Sequence, residues 1–399
     1  MSIFSGPKNK DELILVFDIG SSSVGGALFW TQESGIPKII FSTREPIPTL
    51  DQVDINRFLL LTIQSLEIVV KKIYMAKMGA PSQVFCILSS PWYVSQTRII
   101  NFKKNTPFVF TTKLADSLIQ KEIKLFGEEH LDKYKDIVNP FRTIELKNIK
   151  TTLNGYETSK PLNKKAQELE MALFISMSGE QVLRKIEDAI SKHFHFNKIK
   201  FSSFAMASFT VVRDMYTKQG NFLLVDIGGE VTDISMIKKN ILRESLFFPL
   251  GSNFLIRGIA SNLNCKLSEA KSLFSLFKDE HAEESTKKKL SLILNQLRIE
   301  WLKKFQESLA NLSHDISIPA TIYITLEKDS ADFFSETIKT EQFSQYTLTE
   351  SKFEVIILSA DLFNNIAIFR ELVIPEPFIL IDSIYINRFL IYSILNGRI

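Results

Sequence analysis

A short apolar run that ends in an aspartate and a turn of very small residues occurs twice in the chain. Leu15-Val16-Phe17-Asp18-Ile19-Gly20-Ser21-Ser22-Ser23 returns roughly two hundred residues later as Leu223-Leu224-Val225-Asp226-Ile227-Gly228-Gly229-Glu230-Val231. Backbone N–H groups in such a turn can point at phosphate oxygens, and a side chain larger than serine would block the approach. Hydroxyls of Ser21, Ser22, Ser23 and Thr232 can add hydrogen bonds. Asp18 and Asp226 would repel a phosphate at first hand, but each can hold waters on a Mg²⁺ that bridges it. Two such turns facing each other would grip a polyphosphate from both sides. Tight strand connections alone also favour small residues, so a purely structural reading stands beside the chemical one. Thr232 and Asp233 weigh against it, because a connection does not need them.

The elements that must position these turns follow from hydrophobic spacing. Leu13–Asp18, Val24–Trp30 and Ile36–Phe41 read as strands, and Phe222–Asp226, Thr232–Ile237 and Ile241–Pro249 repeat that series. Asp54 is placed to cap a helix whose apolar face carries Ile55, Phe58, Leu59, Ile63, Leu66, Val70 and Ile73. Asn253 is the expected cap of a helix over Phe254–Asn262. Leu290, Ile293, Leu297, Trp301, Phe305, Leu309 and Leu312 recur at three and four, one face of a long helix. Between the two halves, from Val84 to about Lys200, strands, a helix near Leu114–Leu125 and polar stretches interrupt the pattern.

The 399 residues allow two or three domains, and 45% apolar with 23% charged residues is an ordinary globular composition. A net charge of +3 forces neither a nucleic-acid nor a membrane surface. Cys86 and Cys265 are the only cysteines, which excludes a disulfide framework and fits a reducing compartment. The start, Met1 to Glu12, lacks the apolar core of a signal peptide. Charges at Asp361, Arg370, Glu371, Glu376, Asp382 and Arg388 break the apolar C-terminal stretch below membrane-spanning length. Ile384–Leu395 reads instead as a packed terminal helix. His193-Phe194-His195 has no further ligand at metal spacing, no Gly-x-Ser-x-Gly elbow or Walker-type lysine loop is present, and Trp92-Tyr93 reads as core aromatics in preference to a docking surface. Arg44-Glu45-Pro46 reads as a strand end.

With these residues in hand, the sequence resembles the actin-like ATPase superfamily, in its bacterial FtsA/PilM branch. Asp18 to Val24 looks like that branch's first phosphate motif, Asp226 to Ile234 like its second, and Pro249-Leu250-Gly251-Ser252-Asn253-Phe254 like the glycine-containing turn that follows. The resemblance implies an α/β, actin-like (ribonuclease H-like) duplicated fold with two halves around a nucleotide cleft and an inserted strand-helix subdomain in the first half. It divides the chain into a first half over 1–81, the insertion over 82–200, a connecting helix over 201–221, the second half over 222–380 and a terminal helix over 381–399.

It further implies that Asp18, Gly20, Ser21, Ser22, Ser23, Asp226, Gly228, Gly229, Thr232, Gly251 and Ser252 bind ATP or ADP with Mg, the metal held by Asp18 and Asp226 through water. The implied role is a cytoplasmic scaffold at the inner face of the cytoplasmic membrane. Its expected partners are proteins of a type IV pilus platform or a cell division ring, with self-association possible and neither nucleic acid nor direct membrane insertion expected. Several family features are missing. Phe201-Ser202-Ser203-Phe204-Ala205 lacks the water-positioning acid, and Leu326-Glu327-Lys328-Asp329 replaces the adenosine glycines. Lys271 and Phe274 fall where relatives carry a Glu/Lys pair, and Gly25 replaces a lysine after the first turn. Catalytic residues are therefore unassigned. Three readings stay open at this point: a nucleotide-binding scaffold with slow or no turnover, a pseudo-ATPase that binds none, and a small-molecule kinase.

Overall fold

Both copies of the repeated motif fold into the same three strands. In the computed structural model, residues 11–32, 34–133, 141–196, 198–312, 317–340 and 352–395 are described. The first copy gives β1 (Leu13–Ile19), β2 (Ser23–Trp30) and β3 (Lys38–Pro46), followed by α1 (Ile55–Met75) and β4 (Gln83–Leu88). Next come β5 (Val94–Val109), α2 (Thr112–Lys133), β6 (Phe141–Leu153), β7 (Tyr156–Glu157) and β8 (Lys165–Gly179). The chain continues through α3 (Glu180–Ser191), β9 (Ile199–Ser203) and α4 (Phe204–Met215). The second copy gives β10 (Phe222–Ile227), β11 (Thr232–Lys238) and β12 (Ile241–Phe248), then α5 (Ser252–Leu263), α6 (Leu267–Lys278) and α7 (Glu284–Leu312). The remaining elements are β13 (Thr321–Leu326), α8 (Ala331–Thr340), β14 (Glu354–Ile357), β15 (Ile368–Phe369) and α9 (Pro377–Leu395).

The first sheet runs β15-β3-β2-β1-β4-β9 and the second β12-β11-β10-β13-β14. Apart from β15 the two orders are the same. In each, an antiparallel meander is followed by two parallel strands, β1 beside β4 and β10 beside β13. Parallel neighbours need a crossover, and α1 supplies the first. Its cap is the expected one, with Asp54 accepting from the Arg57 N–H at 2.7 Å. Its buried face includes Phe58, Leu59, Leu66, Val70 and Ile73, whereas Ile55 in the first turn is exposed and Ile63 only half-buried. The long helix also behaves as its spacing predicts, since all seven residues from Leu290 to Leu312 named above are buried in α7.

Three boundaries differ from the sequence reading. The strand at 83–88 pairs in register with β1 and lies in the first sheet. The antiparallel sheet β5-β8-β6-β7 with α2, residues 94–179, is the part that leaves the duplicated pattern. Second, the chain returns to the first half before its end, where β15 pairs with β3 and α9 packs on α4 and β1. Ile379, Leu380, Ile381, Ile384 and Ile386 of α9 join one core with Phe204 and Val212 of α4, Ile14 of β1 and Leu224 of β10. That shared core ties the halves together at the base of the cleft. Third, α5 begins at Ser252 with Gly251 as its cap, so Asn253 is already inside the helix. Residues 1–10, His314 and 396–399 lie outside the described residues. Among the described residues, no helix is long and apolar enough to cross a membrane.

Candidate functional site

The two repeated turns face each other, and they touch. A Cβ on Gly229 would lie 2.5 Å from the Ser21 carbonyl oxygen and 2.8 Å from the Ser22 Cα. Ser21 Oγ accepts from the Glu230 N–H at 3.2 Å. Within the second turn, Gly228 donates to the Val231 carbonyl, while its own carbonyl accepts from the Ser252 N–H at 2.8 Å. The Gly229 carbonyl takes the Asn253 N–H at 2.9 Å. The first N–H groups of α5, the groups a helix offers to an anion, are therefore bonded by the turn itself. Gly251 is required there, because a Cβ on it would sit 2.4 Å from the Gly228 oxygen. Thr232 is fully buried, donating to the Leu250 carbonyl at 2.7 Å and accepting from Trp301 Nε1 at 3.3 Å.

In the first turn, Gly20 donates to the Ser23 carbonyl and its own carbonyl accepts from Trp92 Nε1 at 3.0 Å. Trp92 stacks on Phe58, which makes it a core aromatic. The Ser22 and Ser23 hydroxyls donate to a single oxygen, Glu327 Oε1, at 2.7 and 3.0 Å. Glu327 follows β13 directly, in the segment where the resemblance places the family's adenosine glycines. In place of glycines, the segment presents a carboxylate to the hydroxyls expected to meet a phosphate.

Asp18 is buried and pairs with Arg44 at 2.7 Å. The register explains the reach. Asp18 of β1 lies beside Gly25 of β2, and Gly25 beside Arg44 of β3. A Cβ on Gly25 would fall 2.7 Å from Arg44 Nη2, so only glycine lets the guanidinium cross β2. Arg44 also donates to Ser23 Oγ at 3.0 Å and to Glu376 at 2.5 Å. Burial works against its charge, but Asp18 and Glu376 outweigh that and keep it protonated. For Asp18, burial outweighs the pull of Arg44 and holds the carboxyl above the usual range. A cation thus occupies the neighbourhood where relatives carry a lysine, contributed by a residue that the sequence presents as a strand end.

Asp226 accepts from Thr325 Oγ1 at 2.7 Å and lies across from Asp233, whose carboxylate accepts from Ser90 Oγ at 2.7 Å. Burial, helped by the neighbouring Asp233, pushes Asp226 well above its ordinary value. Burial lifts Asp233 to about 7 against the Ser90 hydrogen bond. Around the rim, Arg257 and Asn253 hold Glu230, and Thr49 donates to Asn253 across the cleft at 3.0 Å.

These placements decide whether a Mg·nucleotide fits. The turns leave no separation between them, Glu327 already takes the first turn's hydroxyls, and Asp18 is committed to Arg44. As folded, the residues do not fit the group. Among the described residues, no group of His, Cys, Asp and Glu is arranged to hold a metal ion, and His193 lies against the Tyr74 ring. An acid does reach Phe201–Ala205, from β6 of the inserted sheet. Glu145 accepts from Ser202 Oγ, from Ser203 N and Oγ, and from Tyr385 OH. No local pattern marks Glu145, Glu327 or Arg44. Each meets its partners only through tertiary register.

No family model matches the chain, and no curated protein matches it. Among solved structures it is similar to a chain of a PilM–PilN type IV pilus biogenesis complex, with a TM-score of 0.61, 12% identity, and coverage of 94% of this chain and 97% of that one. Weaker likenesses include the ethanolamine utilization protein EutJ from Carboxydothermus hydrogenoformans, TM-score 0.44, 11% identity, 95% and 90% covered. Another is a Bacteroides thetaiotaomicron protein with an actin-like ATPase fold, TM-score 0.39, 10% identity, 88% and 94% covered. At such identity the likeness speaks for the fold. The chain has the duplicated actin-like ATPase fold.

Proposed function

We propose that the chain is an actin-like scaffold of a membrane-associated protein machine, of the pilus-platform or division-ring kind, that works through protein contacts and turns over no nucleotide. The observation that carries this reading is the contact of the two phosphate-type turns with each other and with Glu327. A nucleotide or a kinase substrate would need the same cleft, so the kinase reading loses its footing there too. The expectation of bound ATP or ADP with Mg then requires an open form in which Glu327 and Arg44 have released the first turn.

A partner site is supported by a cavity of about 430 Å³ where the inserted sheet meets the first half. Arg142 and Lys147 of β6, with Lys198 and Lys200 at β9, surround it, together with Phe85, Phe201 and Phe389. Lys147 lies over the Phe389 ring and Lys200 over Phe85, and burial lowers both amines below their usual range. Partly desolvated cations on aromatic walls fit an acidic, extended segment of a partner protein, and β9 is the outer strand of its sheet. Recruitment to the inner face of the membrane would run through that partner.

The test is sedimentation of the tagged full chain with membranes of its own cells, beside a K147E/K198E/K200E variant. Wild type is expected in the membrane fraction and the variant in the supernatant. Wild type that stays in the supernatant would sink the reading.

A further inference from the structure

Glu327 makes a contact whose chemistry is that of a phosphate oxygen. Its Oε1 accepts two serine hydroxyls from the first turn, at 2.7 and 3.0 Å, across 305 and 304 residues of chain. Its backbone is held as the cap of the short helical turn at Lys328–Ser330, where its carbonyl accepts from the Ser330 N–H and Oγ. The carboxylate is therefore aimed from the end of β13 and does not dangle from a free loop. Ser23 Oγ also takes a hydrogen bond from Arg44 Nη1. That donation polarises the hydroxyl and strengthens what it gives to the Glu327 anion, as in charge-assisted pairs generally.

Glu327 lies on the second half, whereas Ser22, Ser23 and Arg44 lie on the first. We propose that Glu327 is a built-in anion that fills the phosphate seat of the first turn and holds the two halves closed without a nucleotide. In a nucleotide-dependent actin-like fold a diffusible anion would bridge the two turns. Here the bridging anion is tethered, so its effective concentration is fixed by the fold. Closure is then the resting state of the molecule and independent of nucleotide supply. An incoming phosphate would have to displace Glu327 while facing Asp18 and Glu376, both of which compete for Arg44. The inference rests on the cleft alone and stands apart from the identity of any partner.

The experiment reads the separation of the halves in the full chain. Spin labels at K71C on α1 and N262C on α5, both exposed positions, are placed in a C265S background and their distance distribution is measured by pulsed electron resonance. Unsubstituted Glu327 should give one narrow distribution that millimolar Mg·ATP does not move. E327A should give a longer and broader one that millimolar orthophosphate or pyrophosphate returns toward the original. E327Q keeps an acceptor of the same shape without the charge, and should fall between the two; it also serves if E327A does not fold. The proposal is overturned if both variants keep the narrow distribution, if the opened variant ignores both anions, or if Mg·ATP shifts the protein that retains Glu327. Each outcome is read within one molecule, so it is independent of membrane recruitment.

Discussion

Arg44 faces the carboxylates of Asp18 and Glu376 and a serine that binds a third, Glu327. Removing one member of a buried pair strands the other, which costs about 3–5 kcal/mol, whereas removing both together costs far less. Arg44→Met should therefore lower unfolding stability by about that amount, and Asp18→Asn in the same chain should recover a large part. Urea denaturation of the two variants checks this, and a single-variant loss below about 1 kcal/mol would show the pair to be weakly coupled to folding. Asp233 gives a pH dependence of unusual sign. Its folded pKa is raised to about 7 by burial, so between pH 4 and 7 the native state keeps a proton that the unfolded chain has lost. The contribution is fully present below about pH 4 and is lost as pH rises toward 7, up to about 4 kcal/mol. Asp226, also raised, acts in the same direction. Asp233→Asn still offers an oxygen to Ser90, and should flatten the decline in stability between pH 4 and 7 without abolishing it.

The two turns were legible because their cause is local: only very small residues permit the approach that Gly229 and Gly251 make to neighbouring backbone. The helices α1 and α7 were legible for the same kind of reason, since a buried face imposes its spacing on the residues that form it. What fills the cleft was not legible. Glu327 and Arg44 act through lateral strand register and through contacts across three hundred residues, and nothing in their immediate sequence announces either. The insertion boundary was misplaced because β4 looks like any apolar strand until its pairing with β1 is known. Closure at the element scale gives a direct prediction. Gly229→Ala drives a methyl into the backbone of the opposite turn, so the turns must part, and overpacking of this kind costs about 1–3 kcal/mol. Gly127→Ala in α2 is the control. Its nearest new neighbour is 3.9 Å away, and removing a mid-helix glycine should raise stability by up to about 1 kcal/mol. Chemical denaturation that finds both substitutions neutral would contradict the packing of the turns.

At the scale of the molecule, the halves are joined at the base by one core that runs from β1 through α4 and α9 to β10. At the mouth they are joined by Glu327, Thr49 and the Ser21–Glu230 contact. An actin-like clamp that is fastened at both ends has a thermodynamic signature. A ligand that binds the native state must stabilise it, and at a concentration a hundredfold above its dissociation constant the gain is about 2.7 kcal/mol. If Mg·ATP bound the closed form even at tens of micromolar, millimolar nucleotide would raise the melting temperature by a readily measured few degrees. The expected result is no shift for wild type with Mg·ATP, Mg·ADP or Mg²⁺ alone. In E327A, which starts at a lower melting temperature because the bridging anion is gone, Mg·ATP and Mg·ADP should raise it, whereas Mg²⁺ alone should not. A wild-type shift would mean that the clamp opens readily enough for nucleotide to displace Glu327. The cleft would then be a regulated site, and the molecule would belong to the nucleotide-responsive members of its fold.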